Sequence, residues 1–590
     1  MINLVYNKQD LRFLFVLHDN EKMMIKKRVR RGNHFAFIDS ETTEINALEE
    51  HLNKIPEYQY LPSFSGIPRP VAFLEKTRIK DKIVHYCNSG LWKEITDWCK
   101  KNGVKVNKLD NHFKLTGFEL TLEEFQQYVS NWGLNLDPRD YQIEAAWKIL
   151  HYRQSLSQLA TRAGKTLIAY IIFRYMLENG AHNILMVVPS ISLVKQGLKD
   201  MSEYKEFFQG EAVWANGEYV ESSNLTIGTF QSLILRCSKK IRGRSNKHYN
   251  PKFFEKFDVV CIDECHKAEC ESIKEILKQP FMKDVKIKFG FSGTLPDENT
   301  IESYGVQALL GPCIQDISSY ELIESGFLAK PIINQIRLHY DDNDNITKMY
   351  NRYGEYLCSY FDEDENGSKI KLPKDQQDMT MIYQKSLPVA VKAAKNTKSP
   401  EEYREFLIDL CKASGANLLN MEQMIAEHSS AKLQEIYDIV FSWAKNGIIF
   451  AHNEAYIDFL YDSLKNRFPE RNVYKIKGST SVKKRDKIKQ AMNEIDTDAI
   501  LVASYGCVGT GLTFKNIDYC ILSQSFKSKI INLQSIGRGL LLKDDKSKFY
   551  VYDIIDCLPT GRLEKHGKEK CKTYDKSKYE YKITTKHVII

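Results

Sequence analysis

Short apolar runs, each stopped by a small, hydroxylic or acidic residue, recur along most of this chain. Asn183–Pro189, Leu225–Gln231, Phe257–Ile262 and Val285–Phe291 form a first series. Runs that are apolar throughout, rather than alternating, predict strands buried on both faces of a parallel sheet. Between them the apolar spacing lengthens to that of helices, at Thr166–Glu178 and Ser190–Tyr204. A second series follows at Gly447–Ala451, Asn472–Ile476, Ala499–Ser504, Tyr519–Ser523 and Lys548–Ile554, with helices at Val482–Met492 and Ser528–Leu541. Strand alternating with helix predicts an α/β fold built on a parallel sheet, here twice over. Ligands of such sheets gather at the C-terminal strand ends. Those ends read Asp263-Glu264-Cys265-His266 and Ser292-Gly293-Thr294.

The rest of the chain departs from this alternation. Residues 1–125 predict a small α+β N-terminal domain, with a strand at His34–Ile38 and a helix over Gly90–Cys99 that places Trp92 and Trp98 at core spacing. Its basic run Lys26–Arg31 reads equally as a solvated strand edge or as a phosphate-backbone contact. Helices are expected at Leu122–Trp132 and from Pro138 to about Tyr152. Arg236–His248 carries Arg236, Lys239, Lys240, Arg242, Arg244 and Lys247 and no acid, as either a charged surface turn or a loop tracking phosphates. Residues 336–440 contain the acidic, turn-rich Asp341–Asn345 and Asp362–Gly367 and then helices at Ser399–Leu419 and Met421–Ala444. The expected organisation is therefore 1–125, a first α/β domain over 126–335, a linker and helical insertion over 336–440, a second α/β domain over 441–558, and a basic tail over 559–590.

Composition narrows the picture little. At 590 residues the chain needs several domains, and 43% hydrophobic with 27% charged residues is ordinary globular composition. A net charge of +8 permits nucleic-acid binding without arguing for it. Thirteen scattered cysteines, a start without a secretory pattern and no apolar run of membrane-spanning length point to a reduced, cytosolic compartment without a membrane partner. Cys261, Cys265 and Cys270 lack the second pair that a zinc site would need.

Candidate chemistry begins at Leu159-Ala160-Thr161-Arg162-Ala163-Gly164-Lys165-Thr166, which ends as a phosphate-binding loop ends. Glycine lets backbone N–H groups close around a phosphate, lysine reaches the β- and γ-phosphates, and the threonine hydroxyl ligates Mg²⁺. The usual opening glycine is absent: Leu159 stands there. Some 100 residues on, Asp263 and Glu264 close an apolar strand. Asp263 suits Mg²⁺ through a bound water, and Glu264 suits the general base. In Arg139-Asp140-Tyr141-Gln142, the Gln142 amide could both donate to and accept from an adenine edge, or the segment could simply cap a helix.

Asp263-Glu264-Cys265-His266 resembles the DExH box of superfamily 2 helicases, and the other segments then take that family's order. The resemblance implies two tandem RecA-like (P-loop) domains using ATP and Mg²⁺. It gives His266 a catalytic role and makes Arg139 and Gln142 the adenine-recognising pair. It makes Pro189, Ser190, Thr229 and Gln231 strand contacts of the first domain. In the second half, Phe450-Ala451-His452, Gly509-Thr510-Gly511 and Gln534-Ser535-Ile536-Gly537-Arg538 match later motifs. These imply nucleic-acid contacts at His452 and Thr510, a nucleotide contact at Gly511 and catalytic roles for Gln534 and Arg538. Within the superfamily the chain is most similar to UvsW-type phage recombination helicases, which implies DNA (branched, forked or single-stranded) as partner in recombination, repair or replication. It also implies a monomeric or weakly associating protein, in the host cytoplasm if phage-encoded. An RNA helicase of the same superfamily and an ATP-gated nucleic-acid-binding module with weak turnover remain as alternatives. One position departs from the family: its second arginine falls at 541, which is Leu541 here.

Overall fold

The computed structural model describes residues 82–340 and 422–589 with short breaks, the longest at 109–114, 214–222 and 507–513. Of the first 81 residues it describes five strand segments and residues 47, 48 and 51. Lys26–Arg31, the strand expected at His34–Ile38, the two acidic stretches, the helix expected at Ser399–Leu419 and Gly509–Gly511 lie outside the described residues. The chain divides into two units, Met1–Ser318 and Ser319–Ile590.

The first unit opens with β1 (Ile2–Tyr6), β2 (Phe13–His18), β3 (Leu74–Ile79), β4 (Lys82–Asn88) and β5 (Val106–Lys108). They form one sheet in the order β3-β4-β2-β1-β5, antiparallel except for β1 with β5. Helix α1 (Trp92–Lys101) buries Trp92, Ile95 and Cys99, as its apolar spacing requires. Gly90, just ahead of it, lies so near the helix Ile301–Leu310 that an added Cβ would sit 2.0 Å from the Gln307 carbonyl. That approach and the Tyr304 hydroxyl donating to Glu94 Oε1 at 3.0 Å seat the N-terminal sheet against the larger sheet that follows.

The larger sheet of this unit has seven parallel strands: β6 (Gln154–Leu159), β7 (Ile184–Val188), β8 (Gly210–Val213), β9 (Leu225–Thr229), β10 (Val259–Asp263), β11 (Ile287–Ser292) and β12 (Cys313–Ile317). Their order is β8-β9-β7-β10-β11-β6-β12. The four apolar runs are β7, β9, β10 and β11. β6 carries the phosphate loop yet has no apolar signature: Gln154, Ser155 and Ser157 are buried within it. A polar strand in the middle of a sheet is invisible to a hydrophobic pattern. The helices behind the loop and behind β7 are α2 (Lys165–Glu178) and α3 (Ile191–Tyr204).

In the second unit, β13 (Lys330–Tyr340), β14 (Gly447–Ala451), β15 (Asn472–Ile476), β16 (Ala499–Ser504), β17 (Tyr519–Leu522), β18 (Lys548–Cys557) and β19 (Glu580–Val588) form another parallel sheet. Its order is β15-β16-β14-β17-β18-β13-β19. Three boundaries differ from the sequence reading. Position 335, set as the end of the first domain, falls inside β13. Helix α4 (Ser430–Phe441), read as part of the insertion, packs Ile436, Ile439 and Val440 into the second core. The expected tail is a helix, α5 (Arg562–Lys576), followed by the edge strand β19. α5 escaped notice because its inward face is Leu563, Gly567, Lys570 and Tyr574, only half of it recognisably apolar. Lys570 and its partner Asp553 are both fully buried, and Tyr574 OH and Gln335 Nε2 donate to the same carboxylate at 2.9 and 3.2 Å. Buried charge is tolerated because it is paired and hydrogen-bonded.

Candidate active site

Leu159 ends β6 and Lys165 starts α2, so residues 160–164 must turn the chain between them. Gly164 does so with φ +80°, and a Cβ there would meet Gln142 Nε2 at 2.1 Å. Arg162 also sits in the left-handed region, at φ +77°, where a non-glycine residue costs about 1–3 kcal/mol. Tertiary hydrogen bonds hold that strain. The Ala160 N–H donates to the Ile317 carbonyl at 2.9 Å, and the Ala163 N–H to the Ala160 carbonyl at 3.0 Å. The Ala163 carbonyl accepts from Gln142 Nε2 at 2.9 Å and from Tyr141 OH at 3.0 Å. Gln142 Oε1 in turn accepts from the Arg139 backbone N–H at 2.9 Å, while Arg139 Nη1 donates to Tyr141 OH at 3.1 Å.

Arg139 and Gln142 therefore clamp the loop as well as starting the helix Asp140–Leu150. One N–H and one lone pair of the Gln142 amide remain for an adenine edge. The Tyr141 hydroxyl, to which residue type alone gives no role, is a further contact to the loop. Thr161 lies against the Ser292–Thr294 turn, its Oγ1 3.3 Å from where a Gly293 Cβ would stand. Lys165 and Thr166 occupy the first turn of α2, where unpaired N–H groups and the helix dipole favour an anion.

The acid pair lies across from this turn. Asp263 is the last residue of β10, and Glu264 leaves the strand with φ +52°, a second non-glycine residue in the left-handed region. Glu264 Oε1 is 3.4 Å from Lys165 Nζ, and its Oε2 is 3.3 Å from His266 Nδ1. His266 Nδ1 also lies 2.9 Å from Ser292 Oγ. The Ser292 hydroxyl spends its single proton on the Thr294 carbonyl at 2.7 Å. The His266 Nδ1 must then be the donor to Ser292. A line of contacts thus runs from the phosphate loop through Glu264 and His266 to the Ser-Gly-Thr turn. It is hydrogen-bonded at Lys165–Glu264 and His266–Ser292 and joined by a 3.3 Å charge contact at Glu264–His266, and Ser292 is a member that its residue type alone did not assign.

Burial first, and the Glu264 charge second, push the Asp263 carboxyl up to about 6, against the pull of Lys165. Two adjacent carboxylates share one ammonium, a shortage of positive charge that a divalent cation beside Thr166 and Asp263 would relieve. The donor set therefore fits Mg²⁺.

The expected strand contacts fall into two groups. Thr229 is only 2% exposed, and its hydroxyl accepts from Ser232 N–H and pairs with Ser232 Oγ at 2.8 Å. It caps the 230–237 helix (Phe230–Cys237), so its hydroxyl is turned inward rather than outward. Ser190 likewise caps α3 but is half-buried, and Pro189 before it is buried. Gln231 is exposed, with Nε2 3.5 Å from the Pro189 carbonyl, so the ends of the neighbouring strands β7 and β9 do meet.

His452, Gln534 and Arg538 belong to the second unit. His452 is exposed at the end of β14, and its N–H donates to Gln524 Oε1, whose Nε2 donates to Glu427. Gln534 lies on the helix Lys529–Gly537, and Arg538 is the residue that ends it. The helix was expected to reach Leu541. It stops earlier because the following turn leads to Leu540, fully buried, whose carbonyl accepts from the Ala329 N–H at 2.9 Å. Position 541 is therefore not one helical turn beyond Arg538. Thr510 and Gly511 are outside the described residues.

Residues 135–297 match the family described as type III restriction enzyme, res subunit, and residues 431–540 match the helicase conserved C-terminal domain. Over 525 residues the chain is 25% identical to the ATP-dependent DNA helicase uvsW of Enterobacteria phage T4, covering 84% of this chain and 87% of that protein. It is 24% identical over 435 residues to the DNA 3'-5' translocase XPB2 of Sulfurisphaera tokodaii, covering 74% and 85%. The crystal structure of T4 UvsW matches 99% of both chains at 21% identity, with a TM-score of 0.40. The first matched segment holds the phosphate loop and the acid pair; the second runs from α4 to Leu540 and includes Arg538.

Proposed function

We propose that this chain, a superfamily 2 helicase that hydrolyses ATP, is a DNA translocase that remodels branched or duplex DNA in recombination, repair or replication. The observation that carries the reading is the line Lys165–Glu264–His266–Ser292, which joins a phosphate-binding lysine to a carboxylate able to act as base. The likeness to a phage DNA helicase and an archaeal DNA translocase supports DNA as the track.

In this reading the first-turn amides of α2 and the Lys165 ammonium bind the β- and γ-phosphates. The Lys165 ammonium lies 3.4 Å from Glu264 Oε1. A phosphate that draws the ammonium away leaves Glu264 free to orient the attacking water and accept its proton. His266, fixed by its Nδ1–H donation to Ser292, lies against the Glu264 carboxylate and limits how far it can swing. Mg²⁺, when held by Thr166 and through water by Asp263, would neutralise phosphate charge. Arg538 is assigned to the charge that develops on the γ-phosphate, and Gln534 to the same reaction. Gln231, Ser190 and His452 are the exposed or half-exposed candidates for contacts to the sugar-phosphate backbone, which would be independent of sequence.

The test is ATP turnover on forked DNA, single-stranded DNA and RNA, with Glu264→Gln as the inactive control. Stimulation by DNA, greatest on the fork, is expected. Stimulation by RNA with none by DNA would sink the reading.

A further inference from the structure

Ser292 receives the far end of the Lys165–Glu264–His266 line, so whatever fixes Ser292 also fixes His266. We infer that Gln158 is a positioning residue for ATP hydrolysis, pinning the turn after Ser292 to the strand that leads into the phosphate loop. The inference rests on the reading of Glu264 as the base and deepens it.

Three observations carry it. The first is the turn. The Ser292 oxygen accepts from His266 Nδ1 at 2.9 Å and from the Thr294 N–H at 3.2 Å, while its proton goes to the Thr294 carbonyl at 2.7 Å. A hydroxyl has one proton and two lone pairs, so all three are in use. Two of the three bonds run to Thr294. Ser292 is therefore aimed by wherever the turn holds that residue. Both residues are buried, so bulk water does not replace a lost bond.

The second is the contact that holds the turn. The N–H of Leu295, next in the chain, donates to Gln158 Oε1 at 2.9 Å, and Gln158 Nε2 donates to Asp316 Oδ1 at 2.9 Å. A carboxylate only accepts, so Asp316 draws the amide nitrogen toward itself and leaves the amide oxygen for Leu295. An amide turned the other way would set N–H against N–H.

Place in the sheet is the third. Gln158 stands in register with Ser292 of β11 on one side and with Asp316 of β12 on the other. Leu159 follows it and ends β6, where the phosphate loop begins. The turn also lies against that loop: a Cβ on Gly293 would stand 3.3 Å from Thr161 Oγ1 and 3.7 Å from the Leu159 carbonyl. The contacts close a ring from Lys165 through Glu264, His266, Ser292 and Leu295 to Gln158, and so back to the loop. Gln158 acts on the site through the turn.

The experiment measures steady-state ATP turnover and the thermal transition of the full-length protein. It compares the wild type, Gln158→Ala, Gln158→Glu and the double variant Gln158→Glu/Asp316→Asn, with Glu264→Gln as reference. Gln158→Ala releases the turn. Its kcat should fall about 10- to 100-fold with KM for ATP little changed, because a displaced orienting group acts on the chemical step. Gln158→Glu keeps the length and an acceptor for Leu295 but sets two carboxylates against each other, and it should lose activity as well. The double variant restores both hydrogen bonds with donor and acceptor exchanged, and it should recover most of the wild-type kcat. Should Gln158→Ala fail to fold, the exchange still decides. Wild-type kcat in Gln158→Ala overturns the inference. So does a rise in KM with kcat unchanged, or a double variant no more active than Gln158→Glu. If Glu264→Gln turns over ATP as the wild type does, the reading of Glu264 as base fails and the inference with it.

Discussion

Glu264 shows at residue scale how much the backbone decides. Its identity marks it as a candidate base, but its aim comes from a φ of +52° and from Lys165 and His266 on either side. Glu264→Gln keeps the shape and removes the proton acceptor. Turnover should fall about 10²–10⁴-fold with ATP binding retained, as read by steady-state kinetics and nucleotide titration. Glu427 supplies a pH-dependent counterpart in the second unit. Burial pushes its carboxyl up to about 7, against Lys432 and the Asn453 amide. The folded protein therefore holds a proton that the unfolded chain, with an ordinary value near 4.5, releases. That contribution to stability is present below pH 4.5 and is lost as the pH rises through about 7. Chemical denaturation from pH 5 to 8 should show a decline of roughly 3 kcal/mol from this group. In Glu427→Gln the pH slope should be flatter by that amount; an unchanged slope would rule Glu427 out as its source.

Single elements carry the next lesson. α5 and β19 are not an appendage: they complete a sheet and bury the Lys570–Asp553 pair. Lys570→Ala strands a buried carboxylate and should destabilise the second unit by about 3–5 kcal/mol, seen as an earlier thermal transition. Replacing both charges with apolar residues, Lys570→Met with Asp553→Leu, should cost less than the single change. Should the double variant prove the worse, the pair's geometry rather than its charge balance would be what matters. Sequence pattern missed these elements, along with β6 and β12, for a physical reason. The buried positions of β6 include Gln154, Ser155 and Ser157 and those of α5 include Gly567 and Lys570, whose burial depends on partners that other elements supply, while β12 and β19 are half-exposed and carry no continuous apolar run. The runs of β7, β10, β11 and β14–β18 were legible because apolar residues need no particular partner.

At the scale of the whole molecule, the proposed reading asks a residue of the second unit to take part in hydrolysis. Arg538→Ala should lower kcat about 10³-fold or more while leaving ATP affinity nearly unchanged. A kcat equal to the wild type would show that the second unit contributes no catalytic charge through this residue. The chain by itself determined the two parallel sheets, the phosphate loop, the acid pair and their order, because these rest on local pattern and on chemistry that only certain residue types can perform. Tertiary structure alone decided that Gln142 and Tyr141 brace the loop, that the helix Arg562–Lys576 buries Leu563, Lys570 and Tyr574, and that the helix of Gln534 stops before Leu541. Each of those outcomes depends on a hydrogen-bond partner or a close approach from far along the chain, and no local window of sequence contains both halves of such a contact.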